Sequence, residues 1–180
     1  MAYTLNWKAE LIKAHRDLFS PPCDTTLPVR GVPECGPGWH DLLDRMCLRI
    51  RIAVRSGGTF RFSQIKEKYG SLRVYWSGRL PLAATIQVEE AIALAEARSA
   101  TCCEVCGELG RLHDGGWLTT RCPAHAEGRT PAGVKPGLEN IYIVSYVAGN
   151  RSQVTCRRYH RDTDAFSEVD PASLPIEEGE

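Results

Sequence analysis

The chain is predicted to be an α+β protein, and three observations predict it. Apolar residues recur at three- and four-residue spacing in residues 7–19, 39–50 and 83–100, the period of amphipathic helices. Apolar and polar residues alternate one by one in two other places, the period of antiparallel hairpins. A Cys-rich, Gly-rich stretch then interrupts the pattern after residue 100.

In chain order, Trp7, Leu11, Ile12, His15, Leu18 and Phe19 lie on one helical stripe, so a single helix is expected over 7–19. Residues 20–38 carry Pro21, Pro22, Pro28, Pro33 and Pro37 with Gly31, Gly36 and Gly38. Proline fixes φ and lacks a donor, so this stretch reads as a long connecting loop with room to face a partner. Helical period resumes through Trp39, Leu42, Leu43, Met46, Cys47 and Ile50. Gly57 and Gly58 end it. Phe60 and Phe62, then Leu72, Val74 and Trp76, alternate with polar residues around a connection at Lys66–Gly70, which reads as a hairpin. Residues 83–100 return to helix. Residues 140–147 and 153–159 read as a second strand pair around Gly149 and Asn150. The expected organisation is a helical and hairpin core over 1–100, a metal knuckle over 101–127, a strand pair packing on the core over 128–168, and an acidic tail over 169–180.

Twenty-two Lys and Arg balance twenty-two Asp and Glu in 180 residues, which excludes a polycation that coats nucleic acid by bulk charge. The balance is segregated. Residues 61–80 hold Arg61, Lys66, Lys68, Arg73 and Arg79 against Glu67 alone, whereas the last fifteen residues hold Glu168, Asp170, Glu177, Glu178 and Glu180 with no cation. No apolar run approaches the roughly 18 residues of a membrane span. The first twenty residues mix charge into apolar positions and carry no signal-peptide core, so a cytoplasmic protein is expected. Eight Cys in a reducing compartment point to metal more than to disulfides.

The metal reading rests on Cys103-Glu-Val-Cys106 and Cys122-Pro-Ala-His125, with fifteen residues between the pairs. Each pair fits a tight turn that aims two donors at one ion, and four such donors suit tetrahedral Zn²⁺. Cys103, Cys106, Cys122 and His125 are therefore the expected ligands of one structural zinc, since no position is left open for water. Cys102 leaves the register open, because Cys102 and Cys106 form an alternative pair. Cys23, Cys35, His40 and Cys47 have no knuckle spacing. Cys47 and Cys156 are expected in the core, and Cys23 and Cys35 stay unassigned. His113-Asp114 lies between the ligand pairs and is expected on a surface loop. Asp41 and Asp44 are expected as solvent-facing partners of Arg45, and Glu89-Glu90 as a solvated helix face.

Arg73 and Tyr75 share one face of the second hairpin strand, opposite Leu72, Val74 and Trp76. With Lys66 and Lys68 at the connection they set cations beside an aromatic ring. That chemistry suits a phosphate-bearing or nucleotide-like ligand, or an acidic protein surface. Lys66, Lys68, Arg73 and Tyr75 are thus the candidate partner-binding residues.

The runs Cys35-Gly-Pro-Gly-Trp-His-Asp-Leu-Leu-Asp-Arg-Met-Cys47, Gln64-Ile-Lys-Glu-Lys-Tyr-Gly-Ser-Leu-Arg-Val-Tyr75, Cys103-Glu-Val-Cys-Gly107 with Gly116-Trp117, and Cys122-Pro-Ala-His125 resemble a group of small uncharacterised zinc-knuckle proteins of phages and prophages of proteobacteria. The ending Asp164-Ala-Phe-Ser-Glu-Val-Asp-Pro-Ala-Ser173 is also similar to tails in that group. The resemblance implies a setting, the cytoplasm of an infected bacterium, and no chemistry. The sequence carries no nucleophile elbow, phosphate-cradling Gly-Lys-Ser/Thr loop or His-Glu-x-x-His. The expectation is a non-enzymatic accessory protein that binds and inhibits a host defence protein, or sequesters a nucleotide-like ligand. A nucleic-acid-binding zinc-finger regulator is the alternative, kept open by Arg45, Arg49 and Arg51 on one helix. A nuclease of the HNH kind is the second alternative.

Overall fold

The computed structural model describes residues 6–20, 29–148 and 151–175, with backbone alone for 144–148 and 151–154. Among these residues four helices, α1 (Trp7–Ala14), α2 (Arg16–Phe19), α3 (His40–Val54) and α4 (Leu82–Ser99), combine with nine strands. The strands form three antiparallel or mixed sheets of three strands each, as the α+β prediction requires. No helix among the described residues is long and apolar enough to cross a membrane. The chain divides into two compact units, residues 1–131 and 132–180.

The first unit is built on β1 (Pro33–Glu34), β2 (Thr59–Lys68) and β3 (Ser71–Arg79), in the order β1-β2-β3. β1 pairs with β2 in parallel, and β2 with β3 antiparallel. Tyr69 and Gly70 form the whole turn, both at positive φ of 55° and 77°, the two-residue geometry whose twist matches a hairpin. The strand therefore runs on through Lys66 and Lys68, which the sequence assigns to the connection. A bulge at Ser63 shifts the register between Phe62 and Gln64. It turns Ile65 to the side already held by Phe62, so both are fully buried. Leu72 is buried on that side, with Val74 and Trp76 packed at its margin.

α3 and α4 pack against each other, and α4 packs on β3. Leu42, Leu43, Met46, Cys47 and Ile50 of α3 meet Val88, Ala91, Ile92 and Ala95 of α4 in one core with Phe62, Ile65 and Leu72. Edge strands leave amides without a strand partner. Here α4 covers part of that edge: Ser99 Oγ accepts from the Leu72 amide at 2.8 Å, and Glu96 Oε1 from the Val74 amide at 3.3 Å.

The single helix expected over 7–19 is two. The chain leaves helical geometry at His15, φ −123° and ψ 34°, and α3 supplies the reason. Asp44 Oδ1 meets the buried His15 Nε2 at 2.7 Å, and Arg51 donates to the Ala14 carbonyl at 2.7 Å and to Asp17. These contacts hold a corner that lets Trp7 and Leu11 on one segment, and Leu18 and Phe19 on the next, all reach the core. Asp44 therefore serves His15, while Asp41 accepts from Arg45 at 2.9 Å as expected. Glu89 is exposed, yet it accepts from the indole of Trp76 at 2.9 Å.

Residues 101–131 complete this unit. β4 (Arg111–Asp114) lies between β5 (Thr119–Arg121) and β6 (Thr130–Pro131). The second unit holds β7 (Ile141–Ala148), β8 (Arg151–His160) and β9 (Ala165–Val169). The predicted strand pair is thus a three-stranded sheet, because Asp164 at φ 50° turns the chain back after β8. Tyr159 is buried, donates to Asp164 at 2.6 Å and meets Phe166 edge-on at 5.7 Å. Cys156 in β8 is buried too, as Cys47 is in α3. Cys23, residues 21–28 of the Pro-rich loop, the Gly149-Asn150 turn and Glu177, Glu178 and Glu180 lie outside the described residues.

Candidate metal centre and cationic sheet face

Two turns deliver the Cys and His donors. The first follows α4: the amide of Gly107 donates to the Cys103 carbonyl and that of Cys103 to the Glu108 carbonyl, both at 2.8 Å. Gly107 sits at φ 82°, a conformation that favours glycine. The second follows β5 as a short 3₁₀ turn, Pro123–His125, with the His125 amide on the Cys122 carbonyl at 3.0 Å. Between them β4 and β5 bring the two turns together. The donor atoms of Cys103, Cys106, Cys122 and His125 all lie within 4.8 Å of one another. His125 presents Nδ1, 3.2 Å from Cys122 Sγ and 3.7 Å from Cys103 Sγ. This cluster can hold a metal ion, and among the described residues it is the one Cys, His and carboxylate group of three or more that can.

Its electrostatics favour a cation. Burial alone would raise the Cys103 thiol, but the backbone amides of Cys122, Cys106 and Val105 and the Cys106 thiol outweigh it and bring the pKa down to about 6. Amide donors aimed at sulfur stabilise the thiolate. Cys106 moves the other way, to about 11, first by desolvation and then by sharing its hydrogen bonds with Cys103 and Cys122. One negative charge thus opposes the next, and a divalent ion removes that opposition.

Cys103, not Cys102, joins the donor cluster in the ambiguous register. Cys102 is buried in the core and its thiol donates to the Gly107 carbonyl at 3.1 Å. Cys47 is walled into α3, and burial followed by the nearby Glu104 pushes the Cys35 thiol up to about 12. His40 meets the Trp7 ring edge-on at 6.0 Å. His113 is not on a surface loop. It is buried on β4, its Nδ1 2.9 Å from the Arg111 carbonyl.

Sequence reasoning missed what the knuckle docks on. The segment Gly36-Pro37-Gly38-Trp39 lies directly against it. Glu104 Oε1 accepts from the Gly36 amide at 2.9 Å, and its carbonyl accepts from Gly38 at 2.8 Å. The second Glu104 oxygen holds Arg121 at 2.8 Å. The fully buried Trp39 donates its indole N–H to the Cys102 carbonyl at 2.9 Å. A Cβ on Gly38 would overlap the Cys103 carbonyl and the amides of Cys106 and Gly107. The two glycines around a proline, followed by Trp, were the available signal. The hairpin tip docks there too: Thr120 Oγ1 donates to the Gly70 carbonyl at 2.5 Å, and Trp117 donates to Glu67 at 3.4 Å.

Beyond the bulge, Gln64, Lys66 and Lys68 alternate with the core residues of β2 and share the outer face with Arg73 and Tyr75. Lys66 is directly across from Arg73, Gln64 from Tyr75 and Arg61 from Ser77. Lys66 Nζ stands 5.6 Å from the centroid of the half-exposed Tyr75 ring. Arg73 donates to Ser71 Oγ and to the Leu72 carbonyl, and Lys68 turns over Tyr69 at 5.1 Å. Three of the four candidate residues are therefore adjacent, and Lys68 lies one pair further toward the turn. Arg61 belongs on this face as well; plain alternation from Phe60 finds it, while the bulge hides the phase beyond Ser63. Glu34 is in register with Lys66. Cavities lie beside Thr59 and Arg79 (about 510 Å³), between α3 and α4 (about 410 Å³), at Gly58–Arg61 (about 380 Å³) and between Pro37 and Glu108 (about 320 Å³).

Comparison of the chain with protein-family models, curated proteins and solved structures returns no match.

Proposed function

We propose that this protein is a non-catalytic binding protein whose knuckle is held by one structural Zn²⁺ and whose open sheet face takes an acidic partner. The donor set supports zinc: three thiolates and one imidazole match its ligand preference and fill a tetrahedron. The observation that carries the binding role is the pairing of Lys66 with Arg73. Like charges directly opposite on a sheet destabilise it, a repulsion that Glu34 in register with Lys66 and Glu96 near Arg73 offset in part. An anionic partner turns it to advantage. Lys68 and Tyr75 are exposed here and Lys66 and Arg73 half-buried along two paired strands, a sheet surface rather than the concave pocket a small molecule takes. That favours a macromolecular acidic surface over a sequestered nucleotide. The resemblance to phage and prophage proteins makes a host defence protein, met in the bacterial cytoplasm, the partner of first choice.

The test is capture of host protein on the immobilised chain, with Lys66→Glu and Arg73→Glu as controls and zinc content and circular dichroism read alongside. The expected result is one acidic host protein retained by the native chain and lost by both variants, which stay folded and metal-loaded. Equal capture by folded variants refutes the sheet-face assignment. Retention of nucleic acid instead, with a steep salt dependence, replaces it with the regulator.

A further inference from the structure

The open end of the β2–β3 hairpin is hollow, and the strand register gives the reason. Phe60 is paired with Gly78, so no side chain opposite it covers its ring. Trp76 stacks on that ring with centroids 5.2 Å apart, and Leu18 and Val54 border the space that is left. The cavity measures about 380 Å³ and takes in Arg61 and Ser77 as well. It shares Gly58, Thr59 and Gly78 with the neighbouring hollow that reaches Arg79. Its size and concavity are those of a small-molecule site.

The lining divides by chemistry. Leu18, Val54 and Phe60 are apolar. Arg61 is paired with Ser77 and Thr59 with Arg79 on the outer face. Among the described residues neither Arg61 nor Arg79 has a carboxylate partner. Arg61 is half-buried, so its guanidinium has given up part of its water without a counter-charge in return. Thr59 Oγ1 accepts from the Arg79 amide at 3.1 Å, which leaves its own proton to donate. The one acid at the cavity, Asp17, is already held through both oxygens by Arg51. We propose that this cavity binds a small amphipathic anion, an aromatic or short aliphatic body with a single carboxylate or phosphate-like head. The body rests on Phe60, Leu18 and Val54, and the head meets Arg61, with Arg79 and the Thr59 hydroxyl at the mouth. A charge-assisted bond to a guanidinium fixes the head, and apolar burial holds the body. The site stands apart from the Lys66 and Arg73 pair and does not rest on the acidic-partner reading.

The experiment is a fluorescence titration of the full chain with anilinonaphthalene sulfonate, which has this chemistry, and with N-phenylnaphthylamine, the same rings without the charge. Circular dichroism confirms that each sample is folded. The native chain should bind one sulfonate probe and shift the amide resonances of Gly58 and Gly78 in a nitrogen–proton correlation spectrum. Arg61→Gln should weaken the sulfonate about tenfold and leave the neutral probe unchanged. Phenylbutyrate or phenyl phosphate should displace the sulfonate, and the stronger competitor identifies the preferred head group. No binding by the folded native chain overturns the proposal. So do unshifted Gly58 and Gly78, equal binding by folded Arg61→Gln, and displacement by neither competitor. If Arg61→Gln fails to fold, Arg79→Gln carries the same test: it must weaken the sulfonate selectively, and native-like binding refutes the site.

Discussion

The helix and hairpin layer and the knuckle of residues 101–131 fold by different means. In the first, Phe19, Leu43, Met46, Ile50, Phe62, Ile65 and Leu72 are all essentially inaccessible, and burial of apolar area drives assembly. In the second, the buried side chains are chiefly Cys102, Cys103, His113, Thr119, Thr120 and Cys122. Those offer little apolar area, so convergence of four donor atoms replaces a core. The difference teaches where each region is vulnerable: one to lost volume, the other to lost ligands. The two are joined at points of backbone contact, at Gly36–Trp39 and at Gly70.

The sharpest way to break this contrast is Cys106→Ser. It should abolish metal binding and unfold the knuckle, a loss on the order of 5 kcal/mol or more. Unchanged metal content and an unchanged melting curve would refute the ligand assignment. Ile50→Ala strikes the other region and should cost about 2–5 kcal/mol, with metal stoichiometry unaltered; parallel loss of metal would mean the two regions are not separable. Gly38→Ala probes the seam. Its Cβ must displace knuckle backbone, at a cost of about 1–3 kcal/mol, and it should lower metal affinity as well as the melting temperature.

Glu96 gives the smallest effect. Burial raises its carboxyl above the usual range, partly offset by Arg73 and the Val74 amide. A raised carboxyl pKa means the folded state holds its proton longer than the unfolded chain, so stability is fullest below the unfolded pKa and declines as pH rises through the folded one. Glu96→Gln keeps an acceptor for Val74 without the charge. It should therefore be more stable than the native chain near pH 7, by about 0.5 kcal/mol, with the advantage gone in acid. An advantage that persisted in acid would assign the gain to something other than ionisation.

Much of this was legible in the sequence where one local rule acted alone. The Cys103/Cys106 and Cys122/His125 spacing found the donor cluster, and the alternation of Leu72, Val74 and Trp76 found the buried side of β3. Legibility failed where a distant residue decided the outcome. His15 fits a continuous helical stripe, and only Asp44 and Arg51, far along the chain, turn it into a corner. The bulge at Ser63 inverts the facing of every later residue on β2, and no single side chain announces it. His113 sits among glycines and charges that read as a loop, yet pairing with β5 and β6 buries it. The Gly36–Trp39 segment looks like a linker until the knuckle it supports is in place.

The proposed ion, held by Cys103, Cys106, Cys122 and His125, would organise residues 101–131. Native mass spectrometry of the full chain tests it most directly. One zinc per chain is predicted, removed by a chelator together with the compact charge-state distribution and absent from Cys106→Ser. A compact, metal-free native chain that a chelator leaves unchanged would contradict it.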